Sequence, residues 1–436
     1  MKKNYPKLVG QKLTNAIDKF ESISHLFLKN PDKDFTRARK IYLNDLIRFL
    51  LSIGGNSINK ELLDYYQYNA DTATSSAFIQ QREKLNYEGL GFISDEFINS
   101  FNDMKTYKNY RLIGIDGSDV VIPYNPRHPE TYIAQSNTRG FNSLHLNAFY
   151  DLLNKVYLDS VIQTAHCKNE FKAATDMIDR SKLEMAILLF DRGYESYNVI
   201  AHIENKGLKY LIRIQEPNTG SGILKKLNLP NDEELDLQVS LKISRRQTKA
   251  LKNDVQYRLV HKKSTFDFLE HKSKKVYPMS FRIVGVEIEK DIYQYFVTNL
   301  DPKEFSKTTI GELYRLRWGV ETSFRELKHV LGLTTFHSKK VDLIKQEIYA
   351  KLIMYNFCEL ITLHVVITHK PRKHTYQANF TMAIHICKKY FLKLFDKDPP
   401  NIEALILRYI LPIRKDRKYP RNIRSQSSVS FIYRVA

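Results

Sequence analysis

The segment from Tyr314 to Lys328 constrains the fold of this chain more than any other stretch, because its spacing predicts a helix with a mixed functional face. At about 100° per residue, four side chains would emerge from one arc roughly 60° wide: Tyr314, Arg317, Glu321 and Lys328. A neighbouring arc carries the apolar residues expected to hold the helix against a core: Leu313, Leu316, Val320, Phe324, Leu327 and Leu331. A carboxylate between two cations and a phenol suits a site that handles metal and phosphate. The alternative is an amphipathic helix whose charged face is simply solvated.

The charge balance bounds the class of partner. The 436 residues include 68 Lys and Arg against 48 Asp and Glu, a formal net charge of +20. This excess is spread along the chain, and it favours a polyanionic partner, with nucleic acid ahead of an anionic membrane. A basic protein without a nucleic-acid role is the alternative.

The apolar segments and the cysteines bound the compartment. No apolar run follows the N-terminal Met-Lys-Lys, and the most apolar stretch, 352–368, contains Asn356, Glu359 and His364. That stretch is expected to be a buried helix, so we predict no membrane partner. The three cysteines have no CxxC spacing, which argues for a reducing compartment and against a zinc site or a disulfide framework. A cytoplasmic protein is therefore expected.

Residues 1–105 are predicted to form a helical N-terminal domain. A basic run from Arg37 to Lys40 leads into a helix that stops at Gly54-Gly55, and a second helix is predicted over 75–85. Arg37 and Arg82 are side chains that could reach phosphates and base edges, which suits a DNA-binding module. A helical cap over the next domain fits the same pattern equally well.

The remaining chain predicts an α/β protein in several parts. Apolar strands and helices alternate over 106–214, the pattern becomes β-rich over 215–305, and helices return over 306–370. The last part, 371–436, is helical and basic. Its cationic run at 414–424 could clamp DNA or could be a solvated tail.

Three carboxylates stand out by position. Asp116 and Asp191 each follow an apolar strand, and Glu321 lies on the predicted helix. Neighbouring strands lie about 4.8 Å apart, so two such Asp side chains could share divalent cations that activate a water or a 3′-hydroxyl and stabilise a leaving oxygen. All-oxygen ligands indicate Mg²⁺ or Mn²⁺. Asp116-Gly117 could instead be a strand-end turn, and Asp119 competes with Asp116, although it would lie on the opposite strand face.

These residues resemble a known family. The spacing of Tyr314, Arg317, Glu321 and Lys328 matches the Tyr-Arg-Glu-Lys motif of the insertion-sequence-four group of bacterial transposases, which are Asp-Asp-Glu enzymes. Ile115-Asp-Gly-Ser118 and Phe190-Asp-Arg-Gly-Tyr194 resemble the group's first and second catalytic motifs. The resemblance covers about residues 105–370. It implies an RNase H-like catalytic core, a mixed sheet with flanking helices, interrupted by a β-rich insertion.

The resemblance also implies a role for each motif residue. Asp116, Asp191 and Glu321 would be catalytic and bind the metals. Tyr314, Arg317 and Lys328 would grip the DNA backbone near the transposon end. The expected partners are double-stranded DNA, as terminal inverted repeats and as target, and a second copy of the chain in the DNA complex. The expected location is the bacterial nucleoid.

The implied reaction is cut-and-paste transposition through a DNA hairpin. A hairpin requires a base drawn out of the stack, and in this group a Trp of the insertion is expected to hold it. Here the single Trp is Trp318, on the predicted helix. The insertion offers other aromatic residues: Phe266, Phe268, Tyr277, Phe281, Tyr293 and Tyr295. Two alternatives remain, a metal-dependent nuclease that never joins strands and a catalytically silent DNA-binding relic.

Overall fold

A ten-stranded mixed β-sheet organises this protein. The computed structural model describes residues 4–413 except 38, 137–138, 218–221, 226, 228, 230–233, 249–253, 291 and 366–374. The strands of the sheet are β1 (Arg111–Ile122), β2 (Tyr132–Ile133), β3 (Phe141–Asp151), β4 (Val156–Thr164), β5 (Ala186–Phe190), β6 (Lys209–Ile214), β7 (Asp236–Ser244), β8 (Tyr257–Leu259), β9 (Val276–Glu289) and β10 (Ile292–Thr298). Two further short strands, β11 (Thr375–Ala378) and β12 (Ile410–Ile413), pair with each other.

The helices are α1 (Tyr5–Ser22), α2 (Leu43–Ser52), α3 (Ile58–Tyr65), α4 (Ser75–Arg82), α5 (Glu88–Asn99), α6 (Glu170–Arg180), α7 (Tyr197–Asn205), α8 (Lys307–Leu316), α9 (Trp318–His329), α10 (Val341–Thr362), α11 (Phe380–Leu392) and α12 (Ile402–Arg408). The mixed α/β class predicted from the sequence is confirmed. The helix predicted over the apolar stretch is α10. No helix within the described ranges is both long and apolar enough to cross a bilayer.

The strand β1 lies in the middle of the sheet. It pairs antiparallel with β3 on one side and parallel with β5 on the other, and β5 pairs parallel with β6. A parallel neighbour requires a crossover, and α6 and α7 provide one before β5 and one before β6. These two helices pack on one face of the sheet, while α8 and α9 pack on the other. The alternation of side chains along β1 therefore decides which residues meet which helix layer.

The β-rich region extends this sheet. Residues 236–298 form strands close to the predicted positions, and β10 pairs antiparallel with β6, with β9, β7 and β8 following. The sheet is thus continuous across the boundary that the sequence suggested at residue 214. At that point the sheet changes from the parallel pairing of β5 with β6 to the antiparallel pairing of β6 with β10.

The N-terminal helices share a core with the rest of the chain. Apolar side chains of α1, α2 and α5 pack against α10, and the same buried cluster includes residues of α9 and of β1 and β3. The 22-residue helix α10 is almost wholly buried. This packing is that of a helical cap, one of the two alternatives that the sequence left open for residues 1–105.

Arg82 corrects a sequence-based expectation. It was predicted to contact DNA, but its side chain is 0% exposed. Its guanidinium donates to Glu347 Oε1 at 3.1 Å, to Gln346 Oε1 at 3.1 Å and to the backbone oxygen of Leu343 at 2.6 Å, all on α10. The residue joins α4 to α10 and is not available to a phosphate. Arg37, by contrast, is exposed in the segment before α2.

The Arg82–Glu347 pair provides a test of this packing. Arg82→Ala would leave the Glu347 carboxylate buried without its cation, and such a loss costs about 3–5 kcal/mol of unfolding free energy. Arg37→Ala, an exposed arginine, should change stability by no more than about 0.5 kcal/mol. Urea unfolding of both variants would measure the difference. Equal stabilities would contradict the role assigned to Arg82.

Candidate active site

Asp116 lies within β1 and does not end it. The sequence predicted a strand interrupted by Gly117, but β1 continues to Ile122, with Asp116 opposite Ala148 of β3. Gly117 is required for a different reason. A Cβ at this position would lie 2.3 Å from His145 Nε2 on the neighbouring strand. The glycine therefore accommodates a side chain on the far face of the sheet, while its N–H donates to Asp116 Oδ1 at 2.8 Å.

Asp191 follows the last residue of β5, as predicted. It begins a short 3-10 turn, Arg192–Tyr194. Tyr314 donates its hydroxyl hydrogen to Asp191 Oδ1 at 3.0 Å. β1 and β5 are adjacent and parallel, and Ile115 lies opposite Phe190. Asp116 and Asp191 come directly after this pair, so they occupy neighbouring positions.

The predicted functional helix is formed by two successive helices. Ser306 caps the start of α8 by accepting a hydrogen bond from the Thr309 N–H. Arg317 lies between them with helical dihedral angles, and its N–H donates to the Tyr314 oxygen three residues back. Leu316 is 42% exposed, so its predicted place in the core was wrong. The other members of the apolar arc are buried: Leu313, Val320, Phe324, Leu327 and Leu331.

Arg317 connects two of the three acids. Its Nη1 lies 3.4 Å from Asp116 Oδ2, and its Nη2 lies 2.7 Å from Glu321 Oε1. The side chain is 3% exposed, and its guanidinium carbon lies 5.6 Å from the ring centre of Tyr314 and 5.4 Å from that of Trp318. Arg317, at the junction of α8 and α9, thus contacts carboxylates from β1 and α9 with one guanidinium.

Lys328 reaches the same strand one position further along the face. Its Nζ donates to Ser118 Oγ at 2.7 Å. Ser118 lies on the face of β1 that carries Asp116. Burial lowers the pKa of Lys328, although Asp119 acts in the opposite direction. The four residues predicted to share one arc therefore all contact β1, β5 or one another.

The pKa values of Asp116 and Asp191 are shifted in opposite directions. Burial raises the pKa of Asp116 to about 6, and Glu321 and Asp191 add to this, against the Gly117 N–H and Arg317. For Asp191, burial also raises the pKa, but the Arg192 N–H, Arg317 and Tyr314 outweigh it, so the net shift is downward. The site thus holds one carboxyl that readily keeps a proton and one that is firmly ionised.

Asp119, the competitor of Asp116, is directed away from this cluster. Its carboxylate pairs with His145 Nδ1 at 2.5 Å and with Lys168 at 3.4 Å. Both partners lie toward α6, on the opposite face of the sheet from α9. The alternation argument made from the sequence is confirmed for this residue.

The chemistry of these donors fits a hard divalent cation, since all three acids offer oxygen. In the described residues, no group of three His, Cys, Asp or Glu side chains is already arranged to hold a metal ion. The Arg317 guanidinium contacts both Asp116 and Glu321 in this arrangement.

Two further residues border the site that sequence reasoning did not assign. Tyr194 is 2% exposed, and its hydroxyl has no hydrogen-bond partner among the described residues, although it lies within electrostatic range of Asp116 and Asp191. Arg213 follows Ile212, which pairs with Phe190, and therefore lies beside Asp191. A cation inside the apolar strand β6 was the signal that could have identified Arg213.

The aromatic residues of the β-rich region are largely unavailable to a DNA base. Phe266, Phe281 and Tyr295 are buried, and Phe268 and Tyr277 pack against Phe266. Trp318, in contrast, is 45% exposed beside Arg317. Of the aromatic residues named for this region, Phe266, Phe281 and Tyr295 are therefore not accessible at the surface.

Residues 107–357 match the family model described as the transposase DDE domain. The match covers more than half of the chain, and the chain belongs to this family. The resemblance to Asp-Asp-Glu transposases of the insertion-sequence-four group is confirmed.

Individual relatives are similar over shorter lengths. The transposase InsG for insertion sequence element IS4 of Escherichia coli (strain K12) is 23% identical over 154 residues, 33% of this chain and 35% of that protein. The transposase for insertion sequence element IS421 of Escherichia coli is 34% identical over 73 residues, 16% of this chain and 20% of that protein. The chain thus matches about a third or less of the length of these relatives. A piggyBac transposase synaptic complex with hairpin DNA aligns with a TM-score of 0.44 at 11% identity, covering 93% of this chain and 84% of that chain.

The raised pKa of Asp116 predicts a pH-dependent cost to stability. Between about pH 4 and 6, folded Asp116 keeps a proton that the unfolded chain has lost, so its contribution to stability falls as the pH rises through that range. Asp116→Asn should therefore be more stable than wild type by about 1–2 kcal/mol near pH 8, and nearly equal to it near pH 4.

Urea unfolding with a chelator, at both pH values, measures this difference. Asp191→Asn is the matched control, because its depressed pKa contributes stability above pH 4 that the Asn variant loses. The two variants should shift in opposite directions near pH 8. A shift of Asp116→Asn that does not depend on pH would refute the assignment.

Proposed function

We propose that this chain is the DNA transposase of a bacterial insertion sequence, which cleaves and joins DNA strands at a site formed by Asp116, Asp191 and Glu321. The observation that carries the proposal is the contact of Arg317 with Asp116 and Glu321, next to the Tyr314–Asp191 hydrogen bond. Three acids from distant segments are thus linked through Tyr314 and Arg317, and Lys328 contacts Ser118, two residues from Asp116. Because the chain belongs to the transposase DDE domain family, this arrangement supports a site that cleaves and joins DNA strands.

We infer an RNase H-like catalytic core. The antiparallel strands β1, β3 and β4, followed by parallel β5 and β6 reached through helices, support it, as do acids on β1 and after β5. In this division the core comprises 106–214 and 306–370, and 215–305 is an insertion that lengthens the sheet. Residues 1–105 form the N-terminal helical domain, and 371–436 form the C-terminal region, of which 371–374 and 414–436 lie outside the described residues.

Mg²⁺ or Mn²⁺ bound by these acids would activate a water or a 3′-hydroxyl and stabilise the leaving oxygen. The protein's own contribution is to hold the DNA. Tyr314, Arg317 and Lys328 offer donors at a partly buried site, where a phosphodiester oxygen is bound more strongly than in water. Asp191, kept ionised by its surroundings, provides a fixed negative charge at the end of β5.

The partner is double-stranded DNA, first as the terminal inverted repeat and then as target. The net charge of +20 supports binding to a polyanion. Arg37 is exposed and suited to a backbone contact, and the working complex is a homodimer in the nucleoid. For a hairpin intermediate, the exposed ring of Trp318 beside Arg317 is the best-placed described aromatic to stack on a displaced base.

Cleavage of a duplex that carries the native terminal repeat tests the proposal. Glu321→Gln should abolish Mg²⁺-dependent strand cleavage, because the amide cannot serve as an anionic ligand, and it should leave DNA binding largely intact. Denaturing gels would resolve nicked, hairpin and joined products. Glu312→Gln, an exposed acid on α8, should cleave as wild type does.

Each product pattern has a definite meaning. Nicks with hairpins and joined strands support cut-and-paste transposition. Nicked strands that are never joined to a free 3′-hydroxyl would instead indicate a nuclease that does not join strands. Specific binding without cleavage by wild type would indicate a silent relic, and cleavage by Glu321→Gln would remove this residue from the site.

Lys328 provides a second, independent test through the salt dependence of DNA binding. Removing one phosphate contact lowers the slope of log affinity against log salt by about one. Lys328→Ala should show this loss, whereas Lys328→Arg should restore the wild-type slope. Fluorescence anisotropy at several salt concentrations measures both. An unchanged slope in the Ala variant would show that Lys328 does not bind phosphate.

A further inference from the structure

We propose that Arg317 acts as an internal counter-cation that competes with the divalent metal for Asp116 and Glu321, so that DNA and metal bind cooperatively. The inference rests on the proposed function and concerns the regulation of the same site. Without DNA, the guanidinium neutralises the acids and lowers their affinity for metal. When a phosphate attracts Arg317, the carboxylates become free to bind the cation.

The geometry gives Arg317 a position that a metal would also use. Its two terminal nitrogens contact carboxylates from different elements, Asp116 on β1 and Glu321 on α9. Bridging carboxylates from separate segments is what a divalent ion does in an all-oxygen site. Among the described residues, Arg317 is the cation that forms ion pairs with Asp116 and Glu321. Lys328 bonds to Ser118, and Asp191 is held by the neutral phenol of Tyr314.

The contact is also able to open. The 3.4 Å separation from Asp116 is long for a charge-assisted hydrogen bond, whereas the 2.7 Å separation from Glu321 is short. The Nε atom of Arg317 is buried and has no hydrogen-bond partner in the described part of the chain. A buried donor without an acceptor is costly. A phosphodiester oxygen would accept a hydrogen bond from Nε, and this bond would favour rotation of the guanidinium toward DNA.

Linkage makes the consequence quantitative. If phosphate and carboxylates compete for one guanidinium, then DNA must raise the affinity for metal by the same factor by which metal raises the affinity for DNA. Coupling between two sites typically amounts to about 5–150-fold. The coupling should depend on Arg317 and not on the overall charge of the protein.

The experiment is a Mn²⁺ titration followed by electron paramagnetic resonance of the free ion. The full chain is titrated alone and with a saturating duplex that ends at the already cleaved terminus, so that no cleavage accompanies binding. For wild type, the duplex should raise the Mn²⁺ affinity at least about 5-fold. Arg317→Gln should bind Mn²⁺ at least about 5-fold more tightly than wild type without DNA, and the duplex should add less than about twofold.

A matched variant controls for charge. Arg325→Gln removes the same charge from an exposed position on α9, and it should behave as wild type in both titrations. If Arg317→Gln does not fold, Arg317→Lys takes its place, because an ammonium group cannot bridge two carboxylates as a guanidinium does. That variant should show weaker coupling than wild type.

The outcomes separate this inference from the proposed function. Equal Mn²⁺ affinities of wild type and Arg317→Gln without DNA would overturn the competition, as would an equal effect of the duplex on both. Equal gains in Arg317→Gln and Arg325→Gln would also overturn it, because overall charge would then explain the change. No Mn²⁺ binding by any protein, with or without DNA, would overturn the proposed function together with the inference.

Discussion

Mutual repulsion among three carboxylates is the constraint on which the arrangement of this site depends. Asp116, Asp191 and Glu321 come from a strand interior, a strand end and a helix, and each requires a donor if it is to be partly buried. Arg317, at the junction of α8 and α9, meets this requirement for two of them. The surroundings also shift the pKa values of the two aspartates in opposite directions. Asp116 is buried within the sheet, whereas Asp191 has the Arg192 N–H and the Tyr314 hydroxyl.

Helix α9 and the N-terminal helices belong to one packed body. Glu347 of α10 accepts from Arg82 of α4 and from both the backbone and the ring of His337, in the loop that follows α9. The ring of His337 also contacts the backbone oxygen of Asn56. A single buried carboxylate therefore links α4 of the N-terminal region with the loop that follows α9. Breaking such a network by removing one member leaves the others buried and unpaired.

The sequence specified the local elements well and the long-range contacts poorly. The strands around Asp116 and Asp191 and the helix bearing Glu321 follow from apolar periodicity, which acts within a few residues. Arg82 could not be placed in this way, because its burial depends on Glu347, 265 residues further along the chain. Leu316 lies at the edge of the predicted apolar arc, where periodicity alone does not decide whether a side chain is buried. Gly117 resembled a turn signal, since nothing local indicates that His145 lies across the sheet. The continuity of the sheet beyond β6 was likewise a matter of strand pairing, which periodicity does not determine.

The pairing of β6 with β10 has a consequence for synthesis of the chain. The edge of β6 is complete at residue 214, but its partner strand ends only at residue 298. At ordinary rates of translation, that edge waits for roughly ten seconds. During this interval its unpaired N–H and C=O groups can pair with any extended segment nearby. Glu321 is made later still, so the nascent chain carries Asp116 and Asp191 on an unfinished sheet. Because of this order along the chain, the three acids can come together only after β10, the partner strand of β6, has been made.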